Sequence, residues 1–244
     1  MAGSVGNITT NIIKNELYFH LDAANKTSYP GTGTKAYNTI SPISGSFIND
    51  IFVDYSVGQG VFSFDGADDA ILLEGTEVSD SWLIPSGPTD PFSFSTWFNS
   101  NNVSNSGFIV SSGANGGTNW DIRVGHTSGY VSFRMRQTVG PTYSKIFSST
   151  VSSNTWYNVT GVYTGTQQIL YLNGVQESTA NITFSKLATS NIAGSIGSFY
   201  YNGAPYSGDF NGEIGPISFY KSKALSSNEV LHNYNALKGR FGLT

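Results

Sequence analysis

The chain contains no cysteine, which excludes a disulfide framework and any Cys-ligated zinc or iron–sulfur centre. Its 244 residues can instead bury enough core to stand alone, since a domain of this size buries roughly 70–75% of its unfolded surface. Charge is scarce too, at 11% of residues. That scarcity does not signal disorder, because aromatics make up 14% and recur along the chain with β-branched residues. The net charge of −4 gives no global attraction to nucleic acid or to an anionic membrane. No apolar run approaches the roughly 18–20 residues that span a bilayer. The opening Met1–Glu16 has no apolar signal core. The expectation is a chain with no export or anchoring signal.

What is present is alternation. Phe92, Phe94 and Phe98 share one phase of a run, Trp120, Ile122 and Val124 share another, and Val131, Phe133 and Met135 a third. A period of two over four to eight residues marks a strand buried on one side. Asn173-Gly174 between two β runs predicts a two-residue hairpin, whose central positions need positive φ. Residues 22–60 read as loop-rich, with a turn at Tyr29-Pro30-Gly31. Ser226-Ser227-Asn228-Glu229 is a capping box, and Val230, Leu231, Tyr234 and Leu237 follow as an apolar stripe. The spacing predicts one helix over about 227–238, ended by Gly239. About a dozen short strands and one terminal helix, without βαβ spacing, give an all-β sandwich of sheet on sheet. Residues 1–15 read as a polar N-terminal arm that contacts another subunit, and 16–244 as the sandwich domain.

Six motifs fall in a familiar order. They are Leu17-Tyr18-Phe19-His20-Leu21-Asp22-Ala23 with Ser28-Tyr29-Pro30-Gly31, Phe62-Ser63-Phe64-Asp65-Gly66, Phe94-Ser95-Thr96-Trp97, Trp156-Tyr157-Asn158-Val159, Tyr171-Leu172-Asn173-Gly174 and Phe210-Asn211-Gly212-Glu213-Ile214-Gly215. Together they resemble the laminin-G-like domains of the concanavalin A-like lectin/glucanase superfamily, in the version found in structural proteins of tailed phages. The resemblance implies a jelly-roll β-sandwich of two antiparallel sheets with one short C-terminal α-helix. It implies a virion structural protein, a decoration or fibre-like subunit on a capsid or tail, made in the host cytoplasm. Its partners are then other virion proteins and itself, with no nucleic acid and no membrane. The alternative reading is a lectin-like module for host surface carbohydrate. Many relatives carry Asp-Glu where this chain has Gly215 and Pro216, so a role of those acids does not transfer.

The chemistry-bearing residues are few. Asp65, Asp68 and Asp69 form the densest acid cluster, either a calcium site or a turn braced by its own carboxylates. No other cofactor is expected. The glucanase spacing Glu-x-Asp-x-x-Glu is absent, which leaves only a distant pairing such as Asp65 with Glu213 for hydrolysis. The chain is read as a non-enzyme. His20, His126 and His232 are scattered. Trp82 and the loop tyrosines Tyr200, Tyr201 and Tyr206 are the candidate exposed aromatics for glycan or protein contact. Trp97 alternates against Phe94 and Phe98, so it faces away from them. Residues 16–90 carry a net charge of −9, whereas 91–176 carry +3. Arg123, Arg134 and Arg136 share the outward phase of two strands, with Lys145 beside them. They read as a basic docking patch on a solvated sheet face.

Overall fold

The structure is a computed structural model that describes residues 11–74, 83, 87–112, 119–137, 143–185, 194–201 and 204–244. The chain runs β1 (Leu17–Leu21), β2 (Lys35–Tyr37), β3 (Ser44–Ile48), β4 (Phe52–Asp54), β5 (Val61–Asp65), β6 (Ala70–Glu74), β7 (Phe92–Ser100), β8 (Gly107–Ser112) and β9 (Trp120–Val124). It continues through β10 (Tyr130–Arg136), β11 (Tyr143–Thr150), β12 (Trp156–Tyr163), β13 (Gln167–Leu172), β14 (Val175–Asn181), β15 (Gly194–Ile196), β16 (Phe199–Tyr201), β17 (Ala204–Ser207) and β18 (Asn211–Lys221). Helix α1 (Ser227–Leu237) follows. The region 22–60, expected to be loop, thus contains three short strands.

Two antiparallel eight-stranded sheets form the sandwich. One runs β14-β13-β12-β7-β18-β5-β4, with β1 also pairing β18. The other runs β11-β10-β9-β8-β15-β6-β3-β2. The alternating residues do what their phase predicts. Phe92, Phe94 and Phe98 meet Trp120, Ile122, Phe133 and Met135 in one shared core. Along one side the two edge strands touch, where Ser178 Oγ donates to the Phe147 carbonyl (2.7 Å) and the Ser149 N–H donates to Glu177 Oε2 (2.6 Å). That contact protects both edges from pairing elsewhere. The Asn-Gly hairpin forms as expected, with φ of 50° at Asn173 and 80° at Gly174.

Trp97 is buried on the opposite face of its sheet, under a second apolar cluster. Its ring stacks on Phe241 (centroids 4.4 Å apart) and on Tyr234 (5.5 Å), and Trp156 packs on Phe241 at 4.5 Å. Helix α1 begins with the expected capping box, Ser226 to Glu229 and back. Val230 and Leu237 face the sheet, while Leu231 stays 43% exposed. Gly239 does not end the helix. The chain tightens into a 3₁₀ turn over Lys238–Phe241, and the left-handed cap is Gly242 at φ 72°. The extra turn is what brings Phe241 onto the tryptophans. Arg240 beside it pairs both guanidinium ends with Asp22 (2.8 and 3.0 Å) and caps the Gly58 carbonyl.

The described part of the N-terminal arm, residues 11–15, lies on this same cluster rather than reaching away. Ile12 is buried, the Ile13 N–H donates to Asn233 Oδ1 (2.8 Å), and Tyr220 Oη donates to the Ile13 carbonyl (2.9 Å). Residues 1–10 lie outside the described residues. Replacing Phe241 with Ala removes the ring that both tryptophans contact. The expected loss is about 3–5 kcal/mol in urea unfolding. A loss under about 1 kcal/mol would show that the outer cluster does not hold the helix.

Candidate functional site

The acidic loop is built by its own backbone. Gly66 takes φ 82°, and Asp65 Oδ1 accepts the Ala67 N–H (2.8 Å). Asp69 is 3% exposed; one oxygen accepts the Asp65 N–H (3.0 Å) and the other the Asp50 N–H (3.2 Å). Burial, more than its acidic neighbours, pushes the Asp69 carboxyl above its ordinary value. One oxygen from each of Asp65, Asp68 and Asp69 lies within 4.8 Å of the others. The backbone donors already account for Asp69 as a turn brace.

The candidate stacking aromatics contribute little to the described geometry. Trp82 lies outside the described residues. Tyr200, Tyr201 and Tyr206 belong to the β16–β17 hairpin, but their side chains also lie outside them. Trp120 is core, with its indole N–H donating to the Leu83 carbonyl (2.8 Å). Trp97 is core of the outer cluster.

The arginine patch is not the solvated stripe its phase implied. Asp121 stands between the arginines in register: it pairs with Arg134 across β9–β10, and Arg123 lies two residues along. Its carboxylate is fully buried, whereas the Arg123 and Arg134 side chains keep 15% and 10% exposure. Arg123 Nε donates to Asp121 Oδ1 (2.9 Å). Arg134 donates from Nε to both Asp121 oxygens (2.9 and 3.0 Å) and from Nη2 to Oδ2. Each guanidinium also lies over a ring, Arg123 over Phe108 at 3.6 Å and Arg134 over Tyr143 at 4.7 Å. Such contacts fix a planar cation in one orientation.

Two cations on one anion leave the face positive. Lys145 is exposed on β11 directly opposite Arg134, and half-buried Arg136 follows on β10. His126 registers the field. Burial lowers its pKa first, and Arg123, Arg134 and Lys145 lower it further. The hydroxyls of Ser111, opposite Asp121, and Ser132, opposite Arg123, are buried without a hydrogen-bond partner. The sequence reading missed Asp121 as the organiser. The signal was there, since Asp121 shares the phase of Arg123 and is the only acid between residues 91 and 176.

A half-buried carboxyl sits on the helix-bearing sheet. Glu213 of β18 lies opposite Asn99 and Ser63. Burial pushes its pKa up, the nearby Asp54 adds to the rise, and a hydrogen bond from Asn99 opposes it. The like-charged neighbour is thus Asp54, not Asp65. Glu213 Oε2 and Asn99 Oδ1 are both buried acceptors without a donor. A proton on Glu213 would supply one.

A family model described as the concanavalin A-like lectin/glucanases superfamily, of the laminin-G type, matches residues 65–231. Among solved structures, the botulinum neurotoxin serotype D binding domain is similar over 91% of this chain and 52% of its own, with TM-score 0.66 and 16% identity. The binding domain of Paraclostridial Mosquitocidal Protein 1 covers 90% and 52%, with TM-score 0.64 and 16% identity. The binding domain of botulinum neurotoxin DC, solved with rat synaptotagmin II, covers 91% and 52%, with TM-score 0.63 and 16% identity. The chain spans about half the length of these structures, and at such identity they establish the fold. No curated protein matches the chain.

Asp121→Asn leaves two largely buried guanidiniums without their counter-charge, and should cost about 3–5 kcal/mol in chemical unfolding. Glu213→Gln should act in the opposite direction. The folded Glu213 pKa lies above its ordinary 4.5, so its favourable contribution is complete below that pH and is lost as pH rises through the folded value. Gln does not titrate. The melting temperature of the variant relative to the parent should therefore climb as pH is raised above 4.5 and then level off. A flat difference from acid to neutral pH would contradict the raised carboxyl.

Proposed function

The chain belongs to the concanavalin A-like lectin/glucanases superfamily, and from that membership we propose that it is a non-catalytic binding module. It engages its target on the outer face of the sheet that carries Arg123 and Arg134. The observation behind this reading is the pair of oriented guanidiniums around one buried carboxylate. Guanidiniums at neutral pH hold charge and donate hydrogen bonds, but do not exchange protons, so the face suits binding rather than acid–base chemistry. Support also comes from the fold neighbours, which are binding domains, one of them solved in complex with rat synaptotagmin II.

The setting we propose is a phage virion, with the chain as a decoration or fibre-like subunit on the capsid or tail. The support for it is the order of motifs from Leu17 through Gly215. The partner is then a virion protein, a second copy, or the host envelope. A calcium ion at Asp65, Asp68 and Asp69 would only stiffen the loop that backbone hydrogen bonds already shape.

Labelled protein should bind particles of the phage that encodes it, or envelope fragments of the host. Binding should weaken markedly as salt is raised from about 0.05 to 0.5 M, since the screening length around a positive face shrinks from about 14 to about 4 Å over that range. Chelation should leave binding unchanged. No binding to either partner would overturn the module, and release of reducing sugar from envelope polysaccharide would overturn the non-catalytic reading.

A further inference from the structure

The two sides of the sandwich close differently. Along one side β11 and β14 bond to each other. On the other side β4 is the last strand of the helix-bearing sheet, and among the described residues it pairs with β5 alone. A bare strand edge invites another chain unless charge or cover guards it. Phe52 opens this strand at 60% exposure, and Tyr55 follows it at 46%. Phe52 stands opposite Ser63, and Asp54 stands opposite Val61. Val61 belongs to the outer cluster, so Phe52 and Asp54 share the outer face of the sheet. Their surroundings are acidic, since residues 49–69 contain no lysine or arginine. Asp50, Asp65 and Asp68 are exposed, Asp54 is half-buried, and Glu213 lies beyond Ser63 on β18. Exposed aromatic rings among carboxylates suit a cationic surface, because the acids supply counter-charge and the ring faces attract guanidinium or ammonium groups.

We infer that the β4 edge of one copy docks on the arginine-bearing face of the next, so that copies of the chain associate head to tail. The inference rests on the binding reading given above for that face and names the partner as a second copy. The chain itself carries the matching surface. Arg123, Arg134, Arg136 and Lys145 stand on β9, β10 and β11, and Asp121 is the one acid between residues 91 and 176. The two surfaces lie at diagonal corners of the sandwich. β4 edges the helix-bearing sheet, whereas β9, β10 and β11 belong to the other sheet, on the side where β11 meets β14. One molecule therefore cannot join its own two patches. Two β4 edges would bring acid against acid, and two arginine-bearing faces would bring cation against cation, so like patches repel. Only the unlike pairing is favourable. Such a contact leaves one patch of each kind free at the ends, so it repeats into a ring or a filament.

The experiment is sedimentation of the whole chain over a range of concentrations. In about 0.05 M salt its mean mass should rise above that of the monomer, with a dissociation constant of about 1 mM or tighter. In about 0.5 M salt it should return to the monomer. Phe52→Lys spoils the edge and Lys145→Glu spoils the face, and each should weaken association at least about tenfold. Neither should move the melting temperature, because both side chains are exposed. The two variants mixed in equal amounts should recover association, but only as far as a dimer. The intact edge of Lys145→Glu then meets the intact face of Phe52→Lys, and neither partner can extend the chain. A parent that stays monomeric, a variant that associates as the parent does, or a mixture that stays monomeric would overturn the inference. If particle or envelope binding persists in that case, the module stands and only the second copy is the wrong partner. If both fail, the reading of the arginine-bearing face fails with them.

Discussion

The outer cluster on the helix-bearing sheet follows from Trp97 pointing away from its neighbours. Its neighbours Phe94 and Phe98 face the opposite sheet, so its indole emerges on what would otherwise be the wet side of β7. An exposed indole of that size would leave a large apolar patch on the sheet. The chain covers it with its two ends. Helix α1 brings Tyr234, the 3₁₀ turn brings Phe241, and residues 11–13 bring Ile12 and a backbone that bonds Asn233 and Tyr220. One sheet face is therefore sealed by the protein itself. The extra turn beyond Leu237 also carries Arg240, which locks Asp22 and the Gly58 carbonyl. A tryptophan on β7 thus ties the first strand, the loop before β5 and the C-terminus into one unit.

The parts legible in the sequence were those set by local rules. Phase placed the core faces of β7, β9 and β10. Asn173-Gly174 gave its hairpin, because only residues that tolerate positive φ make that turn. Ser226 and Glu229 gave the helix start, since the box is satisfied within four residues. The α-helix ends at Leu237, within a residue of the expected bound, but how it is capped is decided by tertiary contact. Gly239 could have stopped the helix, but continuing for one tight turn buries Phe241 between Trp97 and Trp156. Propensity differences of about 1 kcal/mol yield to the burial of an aromatic ring. The short strands β2, β3 and β4 escaped for a related reason. β2 and β4 have three residues each, and β3 buries only Gly45 and Phe47, so none offers enough apolar alternation to register before its partners are known.

The arginine site shows the same division. Their outward phase was readable, and so was the shared phase of Asp121. What was not readable is that a polar face of a sheet can be half-buried. Asp121 is fully buried beneath Arg123 and Arg134, whose guanidiniums lie over Phe108 and Tyr143, so the ion pairs form in a partly desolvated setting. A surface pair in water contributes little, whereas a buried one becomes a fixed piece of geometry whose removal is costly. Burial turned a presumed charged stripe into an oriented construction.

The two outer faces of the sandwich are therefore unlike. The helix-bearing sheet turns an apolar ring outward and closes over it with chain termini, leaving Glu213 as a carboxyl that burial and Asp54 drive toward neutrality. The opposite sheet turns charge outward and organises it around a single acid. In a chain with so few charged residues, placing four of them on adjacent positions of β9, β10 and β11 concentrates its polar specificity at one location. The edges β11 and β14 cover each other, and the outer cluster covers the opposite face around Trp97. Rigid strands also hold such groups more closely than loops do. The binding we propose for the arginine-bearing face is the counterpart of the closure that Trp97 requires on the other.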